Sequence, residues 1–271
     1  MEPKTTRRAA PTFFPGRDAL FLLIALLAPM ACGDGVTDPN GNDPDPPGPG
    51  EYDHARAPGA SAADLLTADV FDRVIVQVQY VEGYEPSAAG LQHLEDFLEA
   101  RLNKPAGITI QVDAPLQMAG QATYTAADVR ALEADHRTVF TEGTTLAMYA
   151  LFLDGEYAPT PNVLGVAYYN TSLAIFEETI QAYSGGALQP SVATVEGTVA
   201  QHEAGHLLGL VNNGSAMQTE HQDEQNGRHC DDPNCLMYWK VRTTDFIENL
   251  LDGMPELDQD CLDDLQANGG A

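Results

Sequence analysis

The chain has 271 residues, 44% of them hydrophobic and 7% aromatic, enough for a sizeable core and too apolar for a wholly disordered chain. Thirteen Lys and Arg stand against 40 Asp and Glu, a formal net charge of -27. Such a surface repels nucleic-acid phosphates and anionic lipid headgroups, so no nucleic-acid partner is expected.

Residues 1–32 read as an export signal. Lys4, Arg7, Arg8 and Arg17 precede the apolar run ALFLLIALLA (19–28), which is too short to span a bilayer. The PMAC that follows resembles the end of a bacterial lipoprotein signal, with Cys32 as the residue that would be lipidated, although Pro29 stands where that pattern has leucine. Residues 33–64 are expected to be a disordered tether. Their first part, GDGVTDPNGNDPDPPGPG, offers Val36 as its one sizeable apolar residue and cannot offset its own ordering entropy. The expected location is outside the cell or in the periplasm, either lipid-anchored or secreted, with the lipid as the membrane contact.

The folded part is expected over 65–271. DRVIVQVQYVEG (72–83) alternates apolar and polar residues as a strand does. Residues 86–102 carry Leu91, Leu94, Phe97, Leu98 and Leu102 at helical spacing behind the N-cap candidate Ser87. GITIQV (107–112) reads as a short strand, and 125–140 as a helix capped by Thr125 with Asp128 three residues on. Strands are expected over 144–155, 162–170 and 172–178. Helical spacing then returns through Val192, Val195, Val199 and His202 to His206. This order predicts an α/β (α+β) mixed twisted sheet with packed helices. Residues 65–211 would form one subdomain, and the loop-rich, acidic residues 212–271 a smaller one.

The helix over 192–207 ends in HEAGH. Residues four apart share a helix face, so His202 and His206 can direct imidazoles at one zinc ion, with Glu203 beside them. The chemistry this permits is peptide-bond hydrolysis by a zinc-bound water that Glu203 deprotonates as general base.

HEAGHLLG (202–209) also resembles the metzincin metallopeptidases, whose long motif is H-E-x-x-H-x-x-G-x-x-H. Gly209 matches its glycine, which can end the helix in a left-handed turn. The third histidine of the motif falls on Asn212, a poor zinc ligand. Further on, HCDDPNCLM (229–237) is similar to the archaemetzincin branch, in which a third histidine is followed by cysteine, four residues, cysteine, one residue and methionine. The domain also looks like zinc metallopeptidases of bacterial lipoprotein type. The resemblance implies a zincin-like fold, a bound Zn2+, His229 as third ligand and Met237 as the methionine of the turn beneath the metal. His229 lies 23 residues beyond His206 against six in the long motif, an insertion of 17 that costs little closure entropy. His221 is the rival third ligand, and Asp223 a candidate to orient an imidazole. Some metzincins place a tyrosine two residues after the methionine; Trp239 holds that place here, so Tyr238 is given no catalytic role.

In an exported chain, Cys230, Cys235 and Cys261 suggest one disulfide, either Cys230–Cys235 or Cys235–Cys261. A cysteine-rich second zinc site is the alternative, but it would lack a fourth thiolate. LDQDCLDD (257–264) reads as a solvated acidic tail. The functional expectation is a monomeric metalloendopeptidase acting on protein or peptide substrate laid along a sheet edge. Two other readings stay open: an inactive zinc- or peptide-binding protein on the same scaffold, and a zinc amidase acting on cell-wall material.

Overall fold

The computed structural model describes residues 51–271 other than Ala119. The expected signal with Cys32, and the tether as far as residue 50, lie outside the described residues. In chain order the elements are α1 (Ala62–Leu66), β1 (Arg73–Tyr80), α2 (Ala88–Arg101), β2 (Ile108–Val112), β3 (Thr123–Tyr124), α3 (Ala126–His136) and β4 (Thr145–Leu153). Then come β5 (Glu156–Tyr157), β6 (Gly165–Tyr169), β7 (Ser172–Phe176), α4 (Glu177–Tyr183), α5 (Val192–Leu207), a 3-10 helix (Thr244–Asp252) and α6 (Gln259–Ala267). The fold is mixed α/β. Its five-stranded sheet runs β2-β1-β4-β7-β6, parallel throughout except for β6, the antiparallel edge strand; β3 and β5 form a separate parallel pair.

The middle of the sheet is buried on both faces. β4, TLAMYALFL, is a continuous apolar run, as a strand covered on both sides must be. One face carries Val74, Val76, Val78, Met148 and Ile175 with α2 and α5; the other packs Tyr149, Leu151, Tyr168 and Phe176 with Val129 of α3. The polar face expected from the alternation of β1 is therefore not solvated. Gln77 is buried and accepts the amides of Thr138 (3.0 Å) and Val139 (2.9 Å), and Gln79 donates to the carbonyl of Ala114 at 2.6 Å. These bonds offset the desolvation of the two amide side chains.

Local signals set the helix starts. Ser87 caps α2 by accepting the amide of Gly90 at 3.0 Å, Thr125 and Asp128 form a reciprocal capping box on α3, and Ser191 caps α5. α3 stops at His136, four residues earlier than its periodicity suggested. Arg137 leaves the helix to bury its guanidinium, bonding Glu133 at 2.6 Å and the carbonyl of Ala147 at 2.8 Å. The expected strand over 172–178 likewise ends at Phe176, where α4 begins.

Residues 51–64 do not belong to a tether. Asn170 donates to the carbonyl of Asp53 at 2.9 Å, Arg56 bonds Ser61 at 2.7 Å, and Tyr52 packs edge-on against Phe71. Residues 51–64 of the expected tether thus belong to the folded part; Tyr52, His54 and Arg56 are few, but each finds a tertiary partner. At the other end, Leu236, Met237, Val241, Phe246, Ile247, Leu257 and Leu265 join the same apolar cluster as Val195 and Val199 of α5. The loop-rich C-terminal part is a cap folded over the helix. Among the described residues no helix is long and apolar enough to cross a membrane.

Candidate metal centre

α5 is buried on every side over its last three turns because the sheet takes one face and the C-terminal cap the other. That burial carries His202, Glu203 and His206 into the interior, where they are 0%, 1% and 6% exposed. After Leu207 the chain reverses. Gly209 has φ +77°, and a Cβ there would lie 2.5 Å from the amide nitrogen of Ser215 and 2.8 Å from Ala62, so a side chain is excluded by both conformation and space. Asn212 ends up exposed, donating to Gln222 at 3.2 Å, away from the histidines.

The inserted loop closes by backbone bonds. The amide of Asp223 donates to the carbonyl of His229 at 2.8 Å, that of Asp231 to His221 at 3.0 Å, and that of Cys230 to Met237 at 2.9 Å. Closure returns His229 to α5. The rings of His202, His206 and His229 have centroids 4.9–5.3 Å apart, and each offers a nitrogen within 4.8 Å of the others. His202 Nδ1 donates to the carbonyl of Leu236 at 2.7 Å and His229 Nδ1 to that of Asn226 at 2.6 Å. A carbonyl only accepts, so each Nδ1 carries the proton and each Nε2 keeps a free lone pair. Both Nε2 atoms, and Nδ1 of His206, are buried without a hydrogen-bond partner. Three oriented imidazoles with orphaned nitrogens fit a zinc ion.

The electrostatics favour the neutral imidazoles. Burial holds His202 and His206 well below the ordinary histidine range, and burial followed by the charge of Arg242 lowers His229 to about 3. Glu203 moves the other way. Burial raises its carboxyl to about 7, against the pull of Arg242 and of the Ala167 amide, which donates to Oε2 at 2.7 Å. Its Oε1 is buried and unpartnered. Met237 is fully buried with its thioether against Gly205, in the turn of α5 between the two helical histidines. Tyr238 is half-buried against the core. Asp223 serves the loop itself, accepting from Gln225 at 3.0 Å and Asn226 at 2.6 Å.

His221, the rival third ligand, lies in a different cluster. The Sγ of Cys230 is 3.5 Å from His221 Nδ1, that of Cys261 is 3.9 Å from it, and Cys235 and Cys261 are 3.7 Å apart. All three cysteines are free and buried, so the expected disulfide is corrected: the thiols converge without bonding. Successive side chains of extended backbone point to opposite sides, so His229 serves the first cluster and Cys230 the second. His221 Nε2 bonds Asp264 at 2.9 Å, and Asp258 accepts from Cys230 at 2.9 Å while capping α6 through the amide of Cys261 at 2.8 Å. The acidic tail is therefore helical, with Asp264 fully buried. Contact with Cys230, and then Asp264, pushes His221 up to about 9; bonding from Cys230 and Cys261 lowers Cys235 to about 5. Sequence reasoning discounted this cluster for want of a fourth thiolate; a histidine nine residues before Cys230 was the signal that could have supplied the fourth donor.

No protein-family model matches the chain, and no curated protein matches it in sequence. Among solved structures it is similar to an archaemetzincin from Methanopyrus kandleri, at 18% identity and a TM-score of 0.49, covering 73% of this chain and 96% of that one. It is also similar to metalloproteinase-II from Bacteroides fragilis, at 14% identity and a TM-score of 0.43, covering 75% of this chain and 54% of that one. These are likenesses of chain trace at low identity, and the functional reading rests on this chain's own residues.

Proposed function

We propose that the chain is an exported zinc metalloendopeptidase, with His202, His206 and His229 as metal ligands and Glu203 as general base. The observation that carries the reading is the convergence of three buried imidazoles with orphaned nitrogens, with the buried Glu203 beside two of them on α5. A zinc ion held there would polarise a carbonyl and acidify water. Glu203 can take a proton from the attacking water and return it to the leaving amine, because its Oε1 is buried without a partner while the Ala167 amide holds Oε2. The amide of Ala167 fixes the carboxylate, and β6 is an edge strand lying against Glu203, where an extended peptide can be laid. A binding protein would have no use for Glu203 in that position.

The second cluster supports a structural zinc held by His221, Cys230, Asp258 and Cys261, whose ligand atoms lie within 4.8 Å of one another, with Cys235 beside Cys261 and Asp264 orienting His221. Ligands about 2.3 Å from a tetrahedral zinc stand about 3.8 Å apart, whereas a disulfide needs about 2.05 Å. The sulfur–nitrogen distances of 3.5 and 3.9 Å suit the first arrangement, and the 3.7 Å between Cys235 and Cys261 is too long for a disulfide. Such an ion would brace the segment that presents His229 and Met237. Export and a lipid on Cys32 complete the proposal; fatty-acid labelling that survives Cys32→Ser would refute the anchor.

The deciding experiment is metal analysis of purified protein alongside casein digestion. Expected are zinc at two per chain, digestion by the wild type, and none by Glu203→Gln with its zinc retained. His229→Ala should lose one zinc together with activity. Digestion by Glu203→Gln at the wild-type rate would sink the mechanism.

A further inference from the structure

Arg242 stands beside the candidate centre with no structural partner equal to its charge. Its Nη1 reaches the carbonyl of Gly165 at 3.4 Å, while its own carbonyl accepts the amide of Leu164 at 2.8 Å, which pins the segment after Met237 to the start of β6. Its Nε is buried and unbonded, and among the described residues no carboxylate forms an ion pair with it, in a chain carrying 40 acidic residues. On a strand, the carbonyl of one residue and the amide two residues on share an edge. The carbonyl of Leu164 bonds the amide of Phe176 at the end of β7, so the Gly165 carbonyl and the Ala167 amide face the open edge of β6. Arg242 takes the first and Glu203 the second. The guanidinium and the general base are therefore neighbours on the edge proposed to receive substrate, displaced by roughly 3–7 Å, one to two residues of extended peptide.

A cation there opposes a bound metal ion, and its charge is felt by His202, Glu203, His206 and His229 alike. The arrangement makes physical sense when an anion arrives with the substrate. We propose that Arg242 is a specificity-determining residue whose guanidinium receives a carboxylate of the peptide, one or two residues from the bond that Glu203 faces. This rests on the peptidase reading, and it adds a preference for peptides with an acidic side chain, or the chain terminus, next to the cleaved bond. Arginine suits the task because its planar fork pairs with a carboxylate through two N–H groups.

The test uses the zinc-loaded Glu203→Gln protein, which binds without turnover, and hexapeptides carrying Glu or Gln at each position, with free or amidated C-termini. Calorimetry should show about tenfold tighter binding of the carboxylate member at one position, the scale of a charge-assisted hydrogen bond in a half-buried site. That discrimination should vanish in Arg242→Gln and be partly kept in Arg242→Lys. A Glu-over-Gln preference assigns the site to a side chain; an acid-over-amide preference assigns it to a chain terminus. With Glu203 intact, Arg242→Gln should lower kcat/KM more for the preferred peptide than for its neutral counterpart. The proposal fails if neither pair discriminates, if Arg242→Gln keeps the preference, or if kcat/KM falls equally on every peptide. Because binding is read without hydrolysis, an inactive wild type would refute the peptidase reading and still leave Arg242 tested.

Discussion

Replacing Gly165 with alanine tests whether β6 and α5 are spaced to hold Glu203 in place. The added Cβ would sit 2.6 Å from Val199 Cγ1, 3.0 Å from Glu203 Cγ and 3.3 Å from Glu203 Oε1. Carbon atoms in contact prefer about 3.5–4.0 Å, so strand and helix must part by roughly 1 Å. Neither neighbour can swing aside, since Val199 and Glu203 are both buried. Overpacking of this kind costs about 1–3 kcal/mol, and a displacement of about 1 Å beside reacting atoms costs about 10²-fold in rate. The 2.7 Å bond from the Ala167 amide to Glu203 should lengthen with it. The expected outcome in a peptide-cleavage assay is a kcat/KM lower by about 10²-fold and a Tm lower by a few degrees. Zinc content should not change, because the rings of His202 and His229 are held by carbonyls outside β6. A Gly165→Ala protein with wild-type kcat/KM and Tm would refute the reasoning.

Three further outcomes are expected. The Glu203 carboxyl is raised to about 7 in the folded protein, so its contribution is present below its ordinary value of 4.5 and is lost as pH rises through 7. Metal-free Glu203→Gln should therefore gain Tm over the wild type more at pH 8 than at pH 5; an equal gain at both would contradict the assignment. His229 is lowered from 6.5 to about 3, so its contribution is present above 6.5 and lost as pH falls towards 3. The metal-free protein should thus destabilise steeply below pH 6.5 in melting experiments, and His229→Gln should flatten that slope. Cys261→Ser should remove one of two bound zinc ions and lower Tm, with the remaining ion at the three histidines; loss of both, or of neither, would show that the two clusters are not separate sites.

The function depends on two kinds of positioning. α5 supplies His202, Glu203 and His206 from consecutive turns, so a local helix is enough to align them. His229, Met237 and Arg242 come from the cap, and each is placed by a backbone bond to another part of the chain: His229 to Asp223, Cys230 to Met237, and Leu164 to Arg242. In the proposed enzyme the helix brings the chemistry, and the cap completes the ligand set and shapes what may bind.

The amino-acid sequence determined what short-range physics controls. Ser87 and Thr125 marked helix starts because a cap bonds within three residues; the apolar runs of β1, β4, β6 and β7 marked the sheet; and HEAGH placed two imidazoles one turn apart. Tertiary structure decided the rest, because those choices depend on partners distant in the chain. Alternation marked β1 as a strand but did not show that Gln77 and Gln79 are buried against Thr138 and Ala114, and Tyr52 and Asp53 read as tether until Phe71 and Asn170 met them. His229, favoured by the resemblance, and its rival His221 lie eight residues apart in one loop, and the fold of that loop takes the first to α5 and the second to the cysteines. Periodicity carries information over a few residues, whereas closure of a 17-residue insertion is settled by backbone bonds and burial that no local pattern encodes.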